Sequence, residues 1–377
     1  MTTRIPTYAK PAVLSQSALN RALLARQMLL HRGDVSTFGA IEKLAGMQAQ
    51  SPQSPYVGLW SRLADFDPTE LSQLLLDRRV VRVPVMRATV HLVTAQDCLS
   101  MRPLVQSVLE RSFGGTAFAR NLAGIEREAF FAAARALLEE KPRTRPELGQ
   151  LLQERWPDRD ALSMACAISA LVPAVQVPPR GLWGVSGQPT WTTTEKWLSQ
   201  ELDANPSLDA LVLRYLAAFG PASVSDIQTW CGLTRLDVVV ERLRPQLCTF
   251  RDIQGRELFD LPDAPRPDPD TPAPPRFLPE YDNLLLSHTD RTRVIADPDR
   301  SRVFTKGAFL IDGFVCGVWK VDRKRRTATL RIDPFQPLDK RDIDALSEEG
   351  MRLHAFLSGD AGIRDIQFTA AVSQVSG

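Results

Sequence analysis

Two glutamines, Gln48 and Gln50, stand two residues apart in the segment GMQAQSPQSPY. Side chains at this spacing point in nearly opposite directions on a helix and in the same direction on an extended segment. Gly46 before the pair and Ser54-Pro55 after it argue against a helix here, so we expect both amides to face one cleft. Spacing alone is weak evidence, because a short polar loop with solvated glutamines has the same pattern.

A second polar set alternates along VVRVPVMRATVHLV (80–93), where Arg87, Thr89 and His91 occupy every second position. The Val-rich pattern predicts two extended segments around Pro84, with these three side chains on one strand face. Such a face could contact a ligand. By itself, the pattern is more often explained by a solvated strand face or by a histidine that is satisfied inside the structure.

A cluster of positive charge occupies a predicted hairpin tip near the C-terminus. Lys320 and Asp322 lead into four consecutive cations, which are Arg323, Lys324, Arg325 and Arg326. A protruding basic turn is suited to phosphate or minor-groove contact with DNA. Charge runs also mark plain solvated surface, and the run alone does not separate the two interpretations.

Several enzyme classes lack support in this sequence. There is no GxxxxGK(S/T), no GxGxxG after a strand, no HExxH and no GxSxG, which argues against NTPases, nicotinamide enzymes, zinc proteases and serine hydrolases. The 5 cysteines and 4 histidines are scattered, without a CxxC pair. We therefore expect no metal, no organic cofactor and no disulfide framework, and a reducing, cytoplasmic location.

Length and composition are those of a globular protein with several subdomains. The chain has 377 residues, with 44% hydrophobic and 24% charged residues, and its net charge is +2. Two to four subdomains are expected at this length. The N-terminal residues lack the apolar run of a signal peptide, and no stretch approaches the length of a membrane span.

The secondary-structure elements that position these groups are predicted in the same order in two parts of the chain. A helix at about 125–139 precedes a capping box from Thr144 to Glu147, and a third helix follows at about 159–173. A helix at 208–219 likewise precedes a second box, from Ser223 to Asp226, before a third helix and two strands. Helix, capped short helix, third helix and β-hairpin is the order of a winged helix.

The N-terminal part has a similar order, beginning with a predicted helix at 14–32 and ending in the strands of 80–93. The fold predicted is therefore α+β and predominantly helical, with three tandem winged-helix units and a β-rich C-terminal region. Residues 262–275 carry seven prolines and indicate an extended linker without packed structure. The predicted divisions are 12–112, 113–203, 204–262, the linker 263–275, and 276–377.

The C-terminal region carries two predicted hairpins and a helix. Asp312-Gly313 is a type I′ turn signal between two apolar segments. The segments CGVWKV and TATLRI predict a second hairpin, which has the basic tip, and a helix at 340–358 follows.

Longer segments resemble a known family. LARQMLLHRG, IEKLAGMQAQSPQSPYVGLWSRL, RVPVMRATVHLVTAQD, RGLWGVSG, RYLAAFGPASVSDIQTWCGL, FLPEYDNLLLSHTDR and GAFLIDGFVCGVWK are similar, in this order, to the AlkZ/YcaQ family of winged-helix DNA glycosylases. The resemblance spans roughly residues 12–335. It implies a concave, basic arrangement of the three winged helices that binds duplex DNA. It also implies that Gln48-Ala49-Gln50 is the Gln-apolar-Gln catalytic motif of one branch, the other branch having Gln-apolar-Asp.

The chemistry that the resemblance implies fits these residue types. N7-alkylguanine and N3-alkyladenine are already cationic, so their glycosidic bond breaks without protonation of the leaving group. The enzyme has to position a water and stabilise developing charge, which oriented amides can do. No catalytic lysine is evident, which predicts a monofunctional glycosylase that hydrolyses without a Schiff base, although Lys306 and Lys320 remain candidates.

The expected partner is duplex DNA carrying alkylated purines, including bulky adducts or interstrand crosslinks. Arg87, Thr89, His91, Lys320 and the four hairpin cations are the expected DNA contacts. No obligate protein partner and no membrane association are expected, and the protein should be a monomer. A winged-helix transcription regulator and a non-enzymatic lesion-binding protein are the alternatives, since both would share the DNA-binding features.

Overall fold

The structure, a computed structural model, describes residues 11–303, 305–324, 327–359 and 363–369. It mixes helices and sheets, in agreement with the predicted α+β class. The helices are α1 (Gln16–Arg26), α2 (Thr37–Lys43), α3 (Ser54–Arg62), α4 (Pro68–Leu76), α5 (Ala95–Leu104), α6 (Gln106–Gly114), α7 (Ala117–Asn121), α8 (Arg127–Glu140), α9 (Arg145–Arg155), α10 (Ala161–Leu171), α11 (Thr194–Leu198), α12 (Leu208–Phe219), α13 (Val224–Cys231), α14 (Asp237–Leu243) and α15 (Lys340–Ser358). The strands are β1 (Val13–Leu14), β2 (Met47–Gln48), β3 (Val80–Pro84), β4 (Val90–Thr94), β5 (Arg143–Thr144), β6 (Ala174–Val177), β7 (Thr190–Thr193), β8 (Cys248–Asp252), β9 (Glu257–Asp260), β10 (Arg276–Leu278), β11 (Gly307–Ile311), β12 (Phe314–Lys324), β13 (Thr327–Pro334) and β14 (Ile363–Phe368).

One order of elements occurs three times within the described residues, namely three helices followed by two strands, and in two of the three a short strand follows the first helix. The first repeat is α2-β2-α3-α4-β3-β4, the second is α8-β5-α9-α10-β6-β7, and the third is α12-α13-α14-β8-β9. In the first two repeats the short strand pairs with the last strand, which pairs with the one before it. In the third repeat a bridge between Ala222 and Phe259 takes the place of the short strand.

The capping signals in the sequence mark where the short helices begin. Thr144 accepts from the backbone of Glu147, and the Glu147 side chain accepts from the backbone of Thr144, which confirms that capping box. Ser223 and Asp226 form the second predicted box. These interactions are local, so they follow from residue spacing without knowledge of the tertiary fold.

The first helix is shorter than predicted. It ends at Arg26 instead of continuing to residue 32, because Met28 adopts a left-handed backbone conformation with a φ of 54°. β1, just before it, pairs with β8 of the third repeat. Arg26 also binds Asp260 at the end of β9, so this N-terminal segment packs against the third repeat.

Strand pairing joins the first two repeats, and a third sheet forms the C-terminal region. Over the described residues, β3 pairs with β6 to give one sheet with the order β2-β4-β3-β6-β7-β5. The C-terminal sheet has the order β10-β11-β12-β13-β14, and α15 packs on it around Leu346 and Leu353. The predicted turn at Asp312-Gly313 joins β11 to β12, and both residues have positive φ values, 45° and 82°.

The proline-rich segment packs against the protein, which corrects the prediction of an unpacked linker. It forms no helix or strand, but the Arg26 guanidinium donates to the Pro265 carbonyl at 3.2 Å. Arg21 Nε donates to the Thr271 carbonyl at 2.6 Å, and Ala273 is 9% exposed. Proline removes backbone donors but leaves carbonyl acceptors, and buried arginines of α1 bind them here.

Candidate active site

The Gln-Ala-Gln motif (Gln48, Ala49 and Gln50) begins in a strand, which confirms the extended conformation predicted for it. Gly46, with a φ of 88°, turns the chain out of α2, and Gln48 then pairs with His91 of β4. The Ala49 amide donates to the Val90 carbonyl at 2.8 Å. Gln48 and Ala49 are buried, at 7% and 0% exposure, while Gln50 is exposed.

The two glutamine amides differ in how they are held. Gln48 Oε1 accepts a hydrogen bond from Arg87 Nη2 at 2.8 Å. Gln50 Oε1 accepts one from the Val90 backbone amide at 3.3 Å. Because a charged donor forms the stronger bond, the orientation of the Gln48 amide is well determined, while Gln50 lies at the surface on a longer bond.

Arg87 connects the motif to distant parts of the chain. Besides Gln48, its guanidinium donates to the Trp230 carbonyl at 3.0 Å and to Asn283 Oδ1 at 3.2 Å. Burial, together with the nearby charge of Arg291, lowers the pKa of Arg87 to about 10. The guanidinium is therefore still charged at neutral pH and fixes Gln48 relative to the third repeat and the C-terminal region.

Arg87, Thr89 and His91 do not share a strand face, contrary to prediction. Arg87 lies in a helical turn with a φ of 54°, and Thr89 follows that turn, so only His91 belongs to β4. The two strands end at the turn because Val85 and Thr89 close it with a backbone hydrogen bond of 3.1 Å. Arg87 was also expected to contact DNA, but both of its Nη atoms donate hydrogen bonds within the protein.

His91 is buried, with 0% exposure, so its prediction as a DNA contact is wrong for this conformation. Its Nδ1 donates to the Thr89 carbonyl at 3.0 Å, which leaves Nε2 unprotonated. Burial lowers the pKa of His91 to about 3, with a further contribution from Arg87. His91 is therefore a neutral neighbour of Gln48. Thr89 remains half-buried at the surface.

Buried charged residues lie next to the motif, and the sequence analysis did not identify them. Arg62 donates to both carboxylate oxygens of Asp282, at 2.9 Å and 2.8 Å, and reaches Gln27 Oε1 at 3.3 Å. Arg82 Nη2 donates to the Ala49 carbonyl at 2.8 Å, and burial lowers the pKa of Arg82 to about 10. A signal existed for Arg82, since a charge inside the Val-rich run VVRVPV predicts a buried, hydrogen-bonded group.

One space adjoins the motif and a second lies beside the residues that follow it. A narrow cleft with about 10 Å³ of room lies beside Gln48, Ser54, Arg62 and Asn283, which is roughly the space for one water molecule. A cavity of about 530 Å³, named here the large cavity, lies between the residues that follow the motif and the C-terminal sheet. Its lining residues are Ser51, Gln53, Ser54, Val57, Pro279, Glu280, Thr305, Lys306, Gly307, Val318, Trp319, Lys320, Val321, Arg331, Asp333 and Leu357. Ser54 and Pro279 line both spaces.

The paired part of the basic hairpin is longer than predicted. β12 and β13 pair as far as Lys324 and Thr327, so Asp322 and Arg323 belong to the strand instead of the turn. Asp322 binds Lys320 at 3.0 Å and Arg331 at 2.7 Å, and the exposed Arg323 donates to the Leu357 carbonyl of α15. The predicted contacts Arg325 and Arg326 lie outside the described residues, as does the side chain of Lys324.

The described residues contain no group of three or more histidine, cysteine, aspartate or glutamate side chains that could hold a metal ion. Within the same ranges, none of the helices combines the length and the apolar character needed to cross a membrane.

Comparison with known proteins links this architecture to one family. The family model described as DNA glycosylase AlkZ-like matches residues 41–356. Among solved structures, the DNA glycosylase AlkZ of Streptomyces sahachiroi is similar, with a TM-score of 0.71 and 20% sequence identity over 95% of this chain and 100% of that chain. No curated protein matches. At this identity, the structural similarity shows a shared fold.

Proposed function

Because the chain belongs to the AlkZ-like DNA glycosylase family, we propose that it hydrolyses the N-glycosidic bond of alkylated purines in duplex DNA. N7-alkylguanine and N3-alkyladenine are the proposed substrates, with bulky adducts and interstrand crosslinks included. The observation that carries this proposal is the extended Gln-Ala-Gln motif, in which the charged donor Arg87 holds the Gln48 amide at 2.8 Å.

The proposed reaction uses the cationic charge of the damaged base. The bond from C1′ to the base nitrogen weakens without protonation, and the sugar develops oxocarbenium character. The amides of Gln48 and Gln50 orient the attacking water and interact with the developing charge through fixed dipoles. Because Arg87 occupies Gln48 Oε1, the Gln48 NH₂ group is left to donate to an oxygen of water or sugar.

We further infer that the three topological repeats are winged helices that bind the DNA backbone. The order of elements and the pairing of the short first strand with the last strand support this interpretation. In this proposal, Thr89, Lys320, Arg323 and the remaining hairpin cations contact DNA, while Arg87 positions Gln48. We also propose that the protein is a monomer and acts in the cytoplasm.

We also propose that water is the nucleophile and that the enzyme is monofunctional. Lys306 and Lys320 both line the large cavity, so they are the lysines to test as alternative nucleophiles. Lys320, however, is ion-paired with Asp322 at 3.0 Å, so its amine is engaged by a carboxylate of the same strand.

The test is a single-turnover assay on a duplex containing N7-methylguanine. The expected products are free N7-methylguanine and an intact abasic site, and borohydride added during turnover should trap no protein–DNA adduct. Binding without base release would favour a transcription regulator. Preferential binding to the damaged duplex without release would favour a lesion-binding protein. A trapped adduct that maps to Lys306 or Lys320 would replace water by an amine as the nucleophile.

A further inference from the structure

Glu280 has a carboxylate near the motif, and the proposed chemistry of Gln48 and Gln50 gives it no role. It lies between β10 and the turn that carries Asn283, and it is half-buried. Its Oε1 accepts a hydrogen bond from Ser54 Oγ at 3.4 Å, at the first residue of α3. Glu280 lines the large cavity together with Ser51, the residue that follows the Gln-Ala-Gln motif. Its partner Ser54 also lines the narrow cleft beside Gln48.

The surroundings of Glu280 differ from those of nearby carboxylates with evident structural roles. Asp282 is bound by Arg62 through both oxygens and also accepts from the Leu284 amide at 2.9 Å. For Glu280, the long bond from Ser54 is the interaction observed, and no cationic nitrogen lies within ion-pair distance in the part of the chain that the structure describes. A carboxylate held by one long hydrogen bond keeps acceptor positions available to a molecule in the cavity.

The proposed hydrolysis releases a water proton, and a base of the protein at the site would accept it as the new bond forms. When water attacks C1′, the new C1′–O bond leaves a proton that must be removed. A neutral amide is not basic enough to remove it, whereas a carboxylate is a common general base in glycoside hydrolysis. Among the residues that border the large cavity, Glu280 is the half-buried carboxylate, whereas Asp333 is exposed and hydrogen-bonded to Thr369.

We propose that Glu280 is the catalytic general base that accepts the proton of the attacking water, while Gln48 and Gln50 orient that water. The C1′–O bond forms as the C1′–N bond breaks, and the electron pair of the broken bond goes to the cationic purine, which leaves as a neutral base. The water proton passes to the Glu280 carboxylate and then to solvent. This inference rests on the proposed glycosylase function.

The test compares Glu280 variants in the single-turnover assay. Glu280→Gln keeps the size and the acceptor for Ser54 but is not basic, so base release should fall by about 10²–10⁴ while DNA binding stays unchanged. Glu280→Asp should retain part of the rate. Formate should raise the rate of Glu280→Ala, because it can occupy the vacated space as a base, and should leave Glu280→Gln unaffected.

The matched control is Asp333→Asn, which removes a carboxylate from the same cavity and should keep the wild-type rate. Glu280→Gln at the wild-type rate, or Glu280→Ala without a response to formate, would overturn the proposal while leaving the glycosylase function intact. If wild-type protein releases no base from lesion-containing duplex, the proposed function fails instead. Thermal unfolding of each variant confirms that it is folded.

Discussion

At the scale of single residues, the site combines one firmly held amide with one that is held weakly. Gln48 is buried and bound by a charged donor, while Gln50 is exposed and bound by a backbone amide. Oriented dipoles lower a reaction barrier because they need not reorganise as charge develops. The Gln48 amide is therefore already oriented in this structure, whereas the exposed Gln50 amide is held by the longer bond.

Substitution of Gln48 or Gln50 by alanine should slow base release without weakening DNA binding. Loss of one oriented polar group in a site of this kind lowers the rate by about 10²–10³. Single-turnover excision of N7-methylguanine measures the effect, with Gln73→Ala on the exposed face of α4 as the control. A double variant of Gln48 and Gln50 with the wild-type rate would rule out the motif as the catalytic centre.

Arg87→Met should separate a positioning role from DNA contact. The variant loses the bonds to Gln48, Trp230 and Asn283, so base release should fall by tenfold or more, which corresponds to about 1.4 kcal/mol of barrier. The dependence of DNA affinity on salt should not change. A decrease of about 0.9 in the log–log salt slope would instead identify Arg87 as a phosphate contact.

At the scale of elements, the hairpin of β12 and β13 carries its cations on a paired ladder. Asp322 neutralises part of the charge of Lys320 and Arg331, while Arg323 is anchored to the end of α15. A ladder anchored in this way presents charge at a fixed place, so the hairpin can contribute to register on DNA as well as to affinity.

Neutralising Arg323, Lys324, Arg325 and Arg326 together should weaken DNA binding similarly for all sequences. Each phosphate contact removed should lower the log–log salt slope by about 0.9. The control replaces Lys340 and Arg341, two exposed cations at the start of α15, and should leave the slope near wild type. If the slope of the hairpin variant equals that of wild type, the hairpin lies away from DNA.

Strand β4 makes stability dependent on pH through His91. The pKa of this buried side chain is about 3 in the folded protein, against about 6.5 in an unfolded chain. Between these values the unfolded state binds more protons, so the free energy of unfolding should fall as the pH is lowered from about 6.5 towards 3. The contribution of His91 is at most about 1.4 kcal/mol per pH unit.

Urea unfolding at several pH values checks this prediction. His91→Gln should have a shallower dependence on pH than wild type in this window. His31 is exposed, so His31→Gln should retain the wild-type dependence. Equal pH dependence in His91→Gln and wild type would contradict a neutral, buried His91.

At the scale of the whole molecule, buried ion pairs connect segments that are distant in sequence. Arg26 of α1 donates to both oxygens of Asp260 at 2.8 Å, and Arg266 of the proline-rich segment binds the same carboxylate at 2.6 Å. Arg62 and Asp282 likewise join α3 to the C-terminal region. The repeats, the proline-rich segment and the C-terminal sheet are thus held in one arrangement around the motif.

Asp260→Asn should lower the free energy of unfolding by about 3–5 kcal/mol, because it leaves the buried Arg26 without a counter-charge. The control is Asp209→Asn, which breaks the pair of Arg242 and Asp209 with side-chain exposures of 58% and 35%. That exposed pair should contribute less than about 1 kcal/mol. Urea unfolding measures both, and a loss from Asp260→Asn no larger than the control would show that the buried pair is not structurally important.

Local interactions made much of this protein predictable from its sequence. Both capping boxes, the turn at Asp312-Gly313 and the extended motif after Gly46 depend on neighbours within a few residues, so spacing was enough to find them. Two predictions failed, one at a local change of backbone conformation and one at contacts between residues far apart in the sequence. Met28 ends the first helix early, and buried arginines of α1 bind the proline-rich segment that composition alone indicates as a free linker.

The composition of the candidate active site was decided by the tertiary structure. The sequence identified Gln48 and Gln50 but assigned Arg87 and His91 to DNA, whereas packing places both against Gln48 inside the protein. Asn283 and Glu280 contact the residues on either side of the motif, Gly46 and Ser54, although both pairs are more than two hundred residues apart in the sequence. Periodicity reports which face of one element is buried, but it does not report which elements meet. Polar partners across such an interface therefore become visible only once the fold is known.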